Sequence, residues 1–333
     1  MIIKTKSSYW NDRNVFITGG SGFVGGAAIE RLVTGGANVV ALVRDFVPSA
    51  HMFSSGIFRR IKMVHGGLED YSLLRRIMSD YEAQNVFHFA AQSQVLTALE
   101  NPRSTFEANI AGTWNILEAA RNSKTIESVV CSSSDKAYGI SDKLPYTEDM
   151  ALKGEFPYEV SKSCADLIAH AYFKTYSLPV SIARCGNTYG GGDLNFKRLI
   201  PKVIKYALHE KPLVMRSDGL PKRDFVYIDD IIEAYLMLSA STQNAGVKGE
   251  AFNFSSGEAK RVKDVVELLL KQMNSKITPQ WVTPAEHEIP EQYLSISKAK
   301  KALKWEPKFK LSEGLELTVA WYKHFFEHPA QFG

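Results

Sequence analysis

The chain has 333 residues, 45% apolar and 23% charged, an ordinary balance for a globular protein and enough length to bury a large core in two lobes. A net charge of +4, with Lys and Arg scattered rather than clustered, speaks against nucleic acid as the partner, and no apolar run has membrane-spanning length or reads as a signal peptide. Cys131, Cys164 and Cys185 are odd in number and lack metal-ligand spacing, so reduced thiols in a cytoplasmic protein, with no metal, are expected.

Val15–Thr18 is a short apolar run that enters Gly19-Gly20-Ser21-Gly22-Phe23-Val24-Gly25, and a helical pattern follows over Ala27–Val33. Strand, glycine turn and helix in that order form a pyrophosphate cradle. The glycines let the backbone approach, and the anion sits on the helix N-terminus. Gly19, Ser21, Gly22, Phe23, Val24 and Gly25 are therefore expected to bind a dinucleotide. The next strand, Val39–Val43, runs into Arg44 and Asp45. An acid at this strand end ordinarily bonds the adenosine ribose, yet the aligned position holds Val43. Arg44 either neutralises a 2′-phosphate, which means NADP, or stacks on adenine while Asp45 takes the ribose, which means NAD.

Further strands are predicted at Ile61–Val64, Val86–Phe89, Val129–Ser132 and Val180–Ala183, with helices between them such as Thr105–Arg121 and Tyr158–Tyr176. This alternation predicts an α/β fold with a Rossmann-type doubly wound parallel sheet. After Asn187 the pattern changes to Gly- and Pro-rich loops mixed with helices at Phe196–His209, Ile228–Ala240 and Val262–Met273. We expect a dinucleotide-binding domain over 1–188, with a return segment at about 224–250, and a smaller, interleaved C-terminal substrate-binding lobe over 189–333. Asp229-Asp230 should open the helix that rejoins the first lobe.

Two segments carry chemistry. Val129-Val130-Cys131-Ser132-Ser133-Ser134-Asp135-Lys136 takes an apolar strand straight into hydroxyls, a carboxylate and an amine, and ligands bind at the carboxyl ends of strands in such sheets. Tyr158 and Lys162 lie four residues apart on one helix face. A free phenol titrates near pH ~10, and an adjacent ammonium is expected to draw it toward working pH.

Gly19 to Gly25, the Ser134 strand end, and Tyr158 with Lys162 together resemble the extended short-chain dehydrogenase/reductase superfamily. The likeness spans nearly the whole chain. It extends to Phe89-Ala90-Ala91-Gln92, to Asn109, Gly112, Thr113, Asn115 and Glu118, to Arg184, Asn187, Tyr189 and Gly190, and to Trp305-Glu306-Pro307 with Glu313-Gly314-Leu315. The resemblance implies that Tyr158 takes a proton from a sugar hydroxyl, that Lys162 supports it and holds the nicotinamide ribose, and that Ser134 orients the hydroxyl. It adds Leu68, Ala90, Ala91, Gln92, Asn109 and Ser132 to the cofactor set and favours NAD, with NADP left open by Val43-Arg44. Gly66-Gly67-Leu68 lacks the Asp common after the third strand in relatives.

The pair after Ser134 separates the reactions. A 4,6-dehydratase needs an acid for the departing C6 hydroxyl and a base for the C5 proton. Asp135, kept protonated by a dry pocket, and Lys136, with its pKa depressed by burial, would supply them. Asp followed by Lys is similar to CDP-glucose and some UDP-sugar 4,6-dehydratases, and Gly190-Gly191-Gly192-Asp193 leading to Arg198 leans toward the CDP-glucose type. Arg223-Asp224-Phe225-Val226-Tyr227 follows the generic superfamily pattern instead. Gln92, Ser134, Asn187, Arg198, Arg216 and Arg223 are the candidates for holding a nucleotide-diphosphate sugar. A sugar-nucleotide 4-epimerase and a non-catalytic binding member of the superfamily are the alternatives. Relatives dimerise through the helices equivalent to Thr105–Arg121 and Tyr158–Tyr176, where Trp114, Ile168 and Tyr172 add apolar faces, so a homodimer is expected.

Overall fold

The computed structural model describes residues 9–283 and 289–329. The outer ends of the two predicted domain ranges, 1–8 and 330–333, lie outside them. In chain order the strands are β1 (Asn14–Thr18), β2 (Asn38–Val43), β3 (Lys62–His65), β4 (Asn85–His88), β5 (Ser128–Ser134), β6 (Val180–Cys185) and β7 (Asn187–Tyr189). They continue as β8 (Lys222–Tyr227), β9 (Ala251–Phe254), β10 (Ala259–Arg261) and β11 (Glu291–Gln292).

The central sheet has the order β3-β2-β1-β4-β5-β6-β9, and every pairing is parallel. This is the Rossmann-type arrangement that the strand–helix alternation predicts. Parallel pairing brings all the carboxyl ends to one edge, so residues after β1, β2, β3, β4, β5 and β6 meet there. Val15, Phe16 and Ile17 of β1 and Val129 and Val130 of β5 are fully buried, as strands covered on both faces must be. β8 pairs with β7, β10 and β11 in a smaller sheet, away from the central one.

The predicted strands and helices stand, with differences at their ends. The helix predicted from Thr105 begins at Pro102, because the Asn101 side chain accepts from Ser104 N and proline suits the first turn. It passes through a π-helical turn at Glu107–Ala111 before Gly112–Arg121. β5 continues through the serines to Ser134, held in register opposite Cys185 of β6. The central sheet gains a seventh strand, Ala251–Phe254, just past the expected return segment. Four residues gave too short a run to separate from a loop. The helix Ile228–Ser241 does pack on β5 and β6, and Asp230 at its start accepts from the backbone N–H groups of Lys308 and Phe309. Trp305 closes the same joint by donating to Asp230 O.

Candidate active site

One cleft of about 1420 Å³ opens along the carboxyl edge of the central sheet and beneath the C-terminal lobe. Its glycine turn is built for a diphosphate. Gly19 has φ +75°, and a Cβ there would lie 2.6 Å from Ala90 N. A Cβ on Gly25 would lie 2.1 Å from Gly19 O, so only glycine lets the helix Phe23–Thr34 start this close to β1. That helix begins at Gly22 with no side-chain cap, which leaves its N–H groups facing the cleft. Ser21, Phe23 and Val24 line the same wall. These residues fit a dinucleotide.

Arg44 and Asp45 line the far end, where they pair with each other at 2.7 Å on an exposed edge. Glu69, which sequence reading missed, joins them, its carboxylate folded over Gly67. Leu68 is fixed by Asn115, whose amide donates to Leu68 O at 2.8 Å. Ala90, Ala91 and Gln92 line the floor. The Gln92 side chain is spent on its own turn, bonding Gln94 O, Gln94 N and the Thr105 hydroxyl, so Gln92 shapes the loop. Asn109 stands behind the cleft rather than in it. It is buried and bonds Gln92 through both backbone groups and the Ser161 hydroxyl, locking the loop to the Tyr158 helix.

The same locking layer contains His88. Thr113 donates to Asn109 O at 2.6 Å, so it accepts from His88 Nε2, and His88 Nδ1 accepts from Thr18 at 2.8 Å. Burial, with the Lys162 charge, pushes His88 down to about 3. A neutral folded imidazole means that below its ordinary value of 6.5 only the unfolded chain gains the proton. Stability is therefore expected to fall by roughly 3 kcal/mol between about pH 6.5 and about pH 4. In His88→Asn that acid slope should flatten in melting curves. An unchanged slope would refute the assignment.

Around the reacting centre, Ser134 ends β5, Asp135 and Lys136 open a 3₁₀ turn, and Tyr158 and Lys162 face them from the helix Pro157–Tyr176. All five line the cleft. Lys162 Nζ donates to Ser132 O at 2.9 Å, and the Ser132 hydroxyl accepts from Tyr235, a further cleft residue absent from the sequence reading. Burial pushes Lys162 down to about 8. Tyr158 departs from expectation, because it is pushed up to about 12 rather than drawn toward neutrality. Burial is the main cause and the Asp135 charge adds to it, while the Ser134 hydroxyl and Arg198 pull the other way. Lys162 Nζ is turned toward the Ser132 carbonyl instead.

Asp135 Oδ1 accepts from Ser134 at 2.8 Å and from Lys136 at 3.4 Å, so the two members of the pair touch, though loosely. Lys136 also donates to Gln292 of β11 at 3.2 Å. The C-terminal lobe thus reaches the rim of the central sheet.

Among the expected substrate residues, Asn187, Arg198 and Arg216 line the cleft. Arg198 is aimed by buried Asp193 at 2.7 Å and by Thr188 O at 2.6 Å. Arg223 does not line it. Its guanidinium donates to Lys222 O and Pro290 O, bridging the β8–β11 junction instead.

Comparison with known proteins agrees with this geometry. The family model described as GDP-mannose 4,6 dehydratase matches residues 16–318. CDP-glucose 4,6-dehydratase of Salmonella typhimurium is 28% identical over 95% of this chain and 92% of its own. UDP-glucuronate 4-epimerase of Thermodesulfobacterium geofontis is 30% identical over 93% of this chain and 96% of its own. The crystal structure of dTDP-glucose 4,6-dehydratase from Bacillus anthracis in complex with NAD superposes with a TM-score of 0.84 at 28% identity, covering 95% of this chain and 98% of that one. The chain belongs to the GDP-mannose 4,6-dehydratase family of the extended short-chain dehydrogenase/reductase superfamily, whose members are NAD-dependent sugar-nucleotide dehydratases and epimerases.

Proposed function

We propose that the protein is a sugar-nucleotide 4,6-dehydratase that converts a nucleoside-diphosphate hexose, CDP-glucose by preference, into its 4-keto-6-deoxy derivative. The observation that carries this reading is the Asp135–Lys136 pair on the cleft wall beside Ser134 and Tyr158. A 4-epimerase has no use for a carboxyl and an amine there.

NAD, when bound, supplies the redox chemistry by taking a hydride from C4 and returning it at C6. Ser134 orients the C4 hydroxyl and Tyr158 Oη removes its proton, which gives the ketone. The ketone acidifies the C5 proton, and Lys136 takes it. Asp135 gives its proton to the C6 oxygen, which leaves as water. Lys136 then returns its proton to C5 as the double bond is reduced. Arg198, Arg216 and Asn187 hold the diphosphate and base, with Arg198 preset by Asp193.

NAD rather than NADP fits the far end of the cleft, because Asp45 neutralises Arg44 and Glu69 would repel a 2′-phosphate. A homodimer fits the exposure of Trp114 and Leu167 on the two helices expected to pair. Ile168 and Tyr172 instead pack partly into the subunit's own core. A monomeric mass in solution would refute the dimer. A cytoplasmic setting rests on the three free thiols, and no helix among the described residues is long and apolar enough to cross a membrane.

Incubation with NAD and CDP-, UDP-, GDP- and dTDP-hexoses is expected to yield a product lighter by one water, foremost from CDP-glucose. Thermal shift should favour NAD over NADP. The 30% identity with a UDP-glucuronate 4-epimerase supports the second reading, a 4-epimerase. Recovery of an unchanged mass with C4 inverted would establish it instead.

A further inference from the structure

The 3₁₀ turn Asp135–Tyr138 carries the proposed acid and base at its start, and its last residue is anchored in a buried polar cluster behind the cleft. Tyr138 is 1% exposed. Its hydroxyl donates to Asn253 Oδ1 at 2.7 Å and accepts from Arg184 Nη1 at 2.8 Å. Burial pushes this phenol up to about 12, so it keeps its proton and can make both bonds. Arg184 clasps Asp166 through Nε at 2.8 Å and Nη2 at 2.9 Å, and its Nη1 also donates to Glu148 O at 3.2 Å. The guanidinium is thus bonded through each of its nitrogens.

These contacts join the elements that hold the reacting groups. Arg184 stands on β6 in register with Ser133 of β5 on one side and Asn253 of β9 on the other. Asp166 lies one turn beyond Lys162 on the helix Pro157–Tyr176, which presents Tyr158 to the cleft. From the same helix Ser163 Oγ donates to Ala137 O, inside the turn, at 2.9 Å. The Tyr138 ring stacks on Tyr146 with centroids 4.9 Å apart and planes 4° from parallel, and Asn253 Nδ2 donates to Tyr146 O at 3.0 Å. Tyr138, Arg184, Asp166 and Asn253 stand outside the cleft lining, so they touch the reaction only through the turn.

Stability alone does not account for the cluster, because well-packed apolar residues often replace a buried ion pair at no cost. Directed bonds from a guanidinium to a carboxylate and a phenol fix distances that apolar packing leaves looser. We propose that Tyr138, clamped by Arg184, is a positioning residue for the elimination step. It sets the Asp135–Lys136 turn against the Tyr158 helix, so that acid and base meet C6 and C5 of the hexose while Tyr158 faces C4. Ser134 is held independently, by the β5–β6 ladder opposite Cys185.

The inference rests on the dehydratase reading for its role in turnover, but not for its first test. Tyr138→Phe keeps the ring and its stacking and removes only the hydroxyl. In the turn, Lys136 N is bonded to Ser134 Oγ and Gly139 N to Lys136 O. Hydrogen exchange at these amides should quicken by about tenfold, with the helix Pro157–Tyr176 unchanged. Exchange that is unchanged in the turn, or raised equally along the chain, would overturn the proposal with no substrate involved.

With the nucleotide hexose that the parent dehydrates, loss of water from Tyr138→Phe should slow by about 10- to 100-fold. KM and single-turnover reduction of the nicotinamide should stay within a few-fold, so reduced cofactor builds up ahead of product. Oxidation and elimination slowed together would mark Tyr138 as merely structural, and unslowed elimination would overturn the role as well. If Tyr138→Phe does not fold, Arg184→Lys carries the test, since one ammonium cannot hold Asp166, Tyr138 and Glu148 O together. The same split between elimination and oxidation is expected there, and a uniform loss would overturn the proposal. A turn that loosens in a protein whose parent dehydrates no hexose would count against the proposed function alone.

Discussion

Asp135→Asn is expected to lower formation of the dehydrated product by about 10²–10⁴-fold while C4 oxidation survives in part. The carboxamide is isosteric and can still accept from the Ser134 hydroxyl and the Lys136 amino group, the two bonds that now hold Asp135 Oδ1. What it lacks is an acidic proton for the departing C6 oxygen. Oxidation at C4 depends on Ser134 and Tyr158 and should proceed, so the nicotinamide should absorb as its reduced form under single-turnover conditions while no water is lost. Product at the parent rate would remove Asp135 from the acid role and with it the main reason for preferring a dehydratase to an epimerase.

The parts of the site carried by contiguous residues were legible in the sequence. The run from Val15 to Gly25 is strand, turn and helix in the chain as in the fold, and the Ser134–Lys136 segment needs only the end of one buried strand. What escaped depends on long-range pairing. Gln292 reaches Lys136 across 156 positions, from a strand that pairs with β8. Asp193 stands five residues from Arg198, close enough to be noticed, but the Tyr322 hydroxyl that donates to Asp193 O and helps fix the loop comes from far along the chain. Tyr235 faces the cleft because its helix packs over β5 and β6, a placement that periodicity along 228–241 does not specify. Arg223 falls outside the cleft lining for the same reason. A guanidinium on a lobe strand looks free for phosphate until β11 supplies the neighbouring carbonyls.

Electrostatics was the least legible layer. A Tyr–Lys pair at helical spacing predicts an ammonium beside a phenol, but spacing does not say where the ammonium points. Here it points at Ser132 O, and the phenol answers to burial and to Asp135. This makes Tyr158→Phe the most informative single change at the first step. It should lower kcat by about 10³-fold or more, because the proposed function gives Tyr158, bonded to Ser134, the removal of the C4 proton. The parent rate should also climb with pH well above neutrality, since a phenol pushed up to about 12 is protonated throughout the neutral range and each step upward releases more phenolate. Tyr158→Phe should lose that climb along with the rate, while its affinity for the nucleotide sugar, which the proposed function assigns to Arg198, Arg216 and Asn187, should stay within a few-fold. A variant that keeps the alkaline climb would show that some other group takes the C4 proton. A parent whose rate is flat from neutral to alkaline pH would overturn the reading of Tyr158 as a phenol held high by burial, and Arg198, which pulls Tyr158 downward, would be the first residue to replace in tracing the cause.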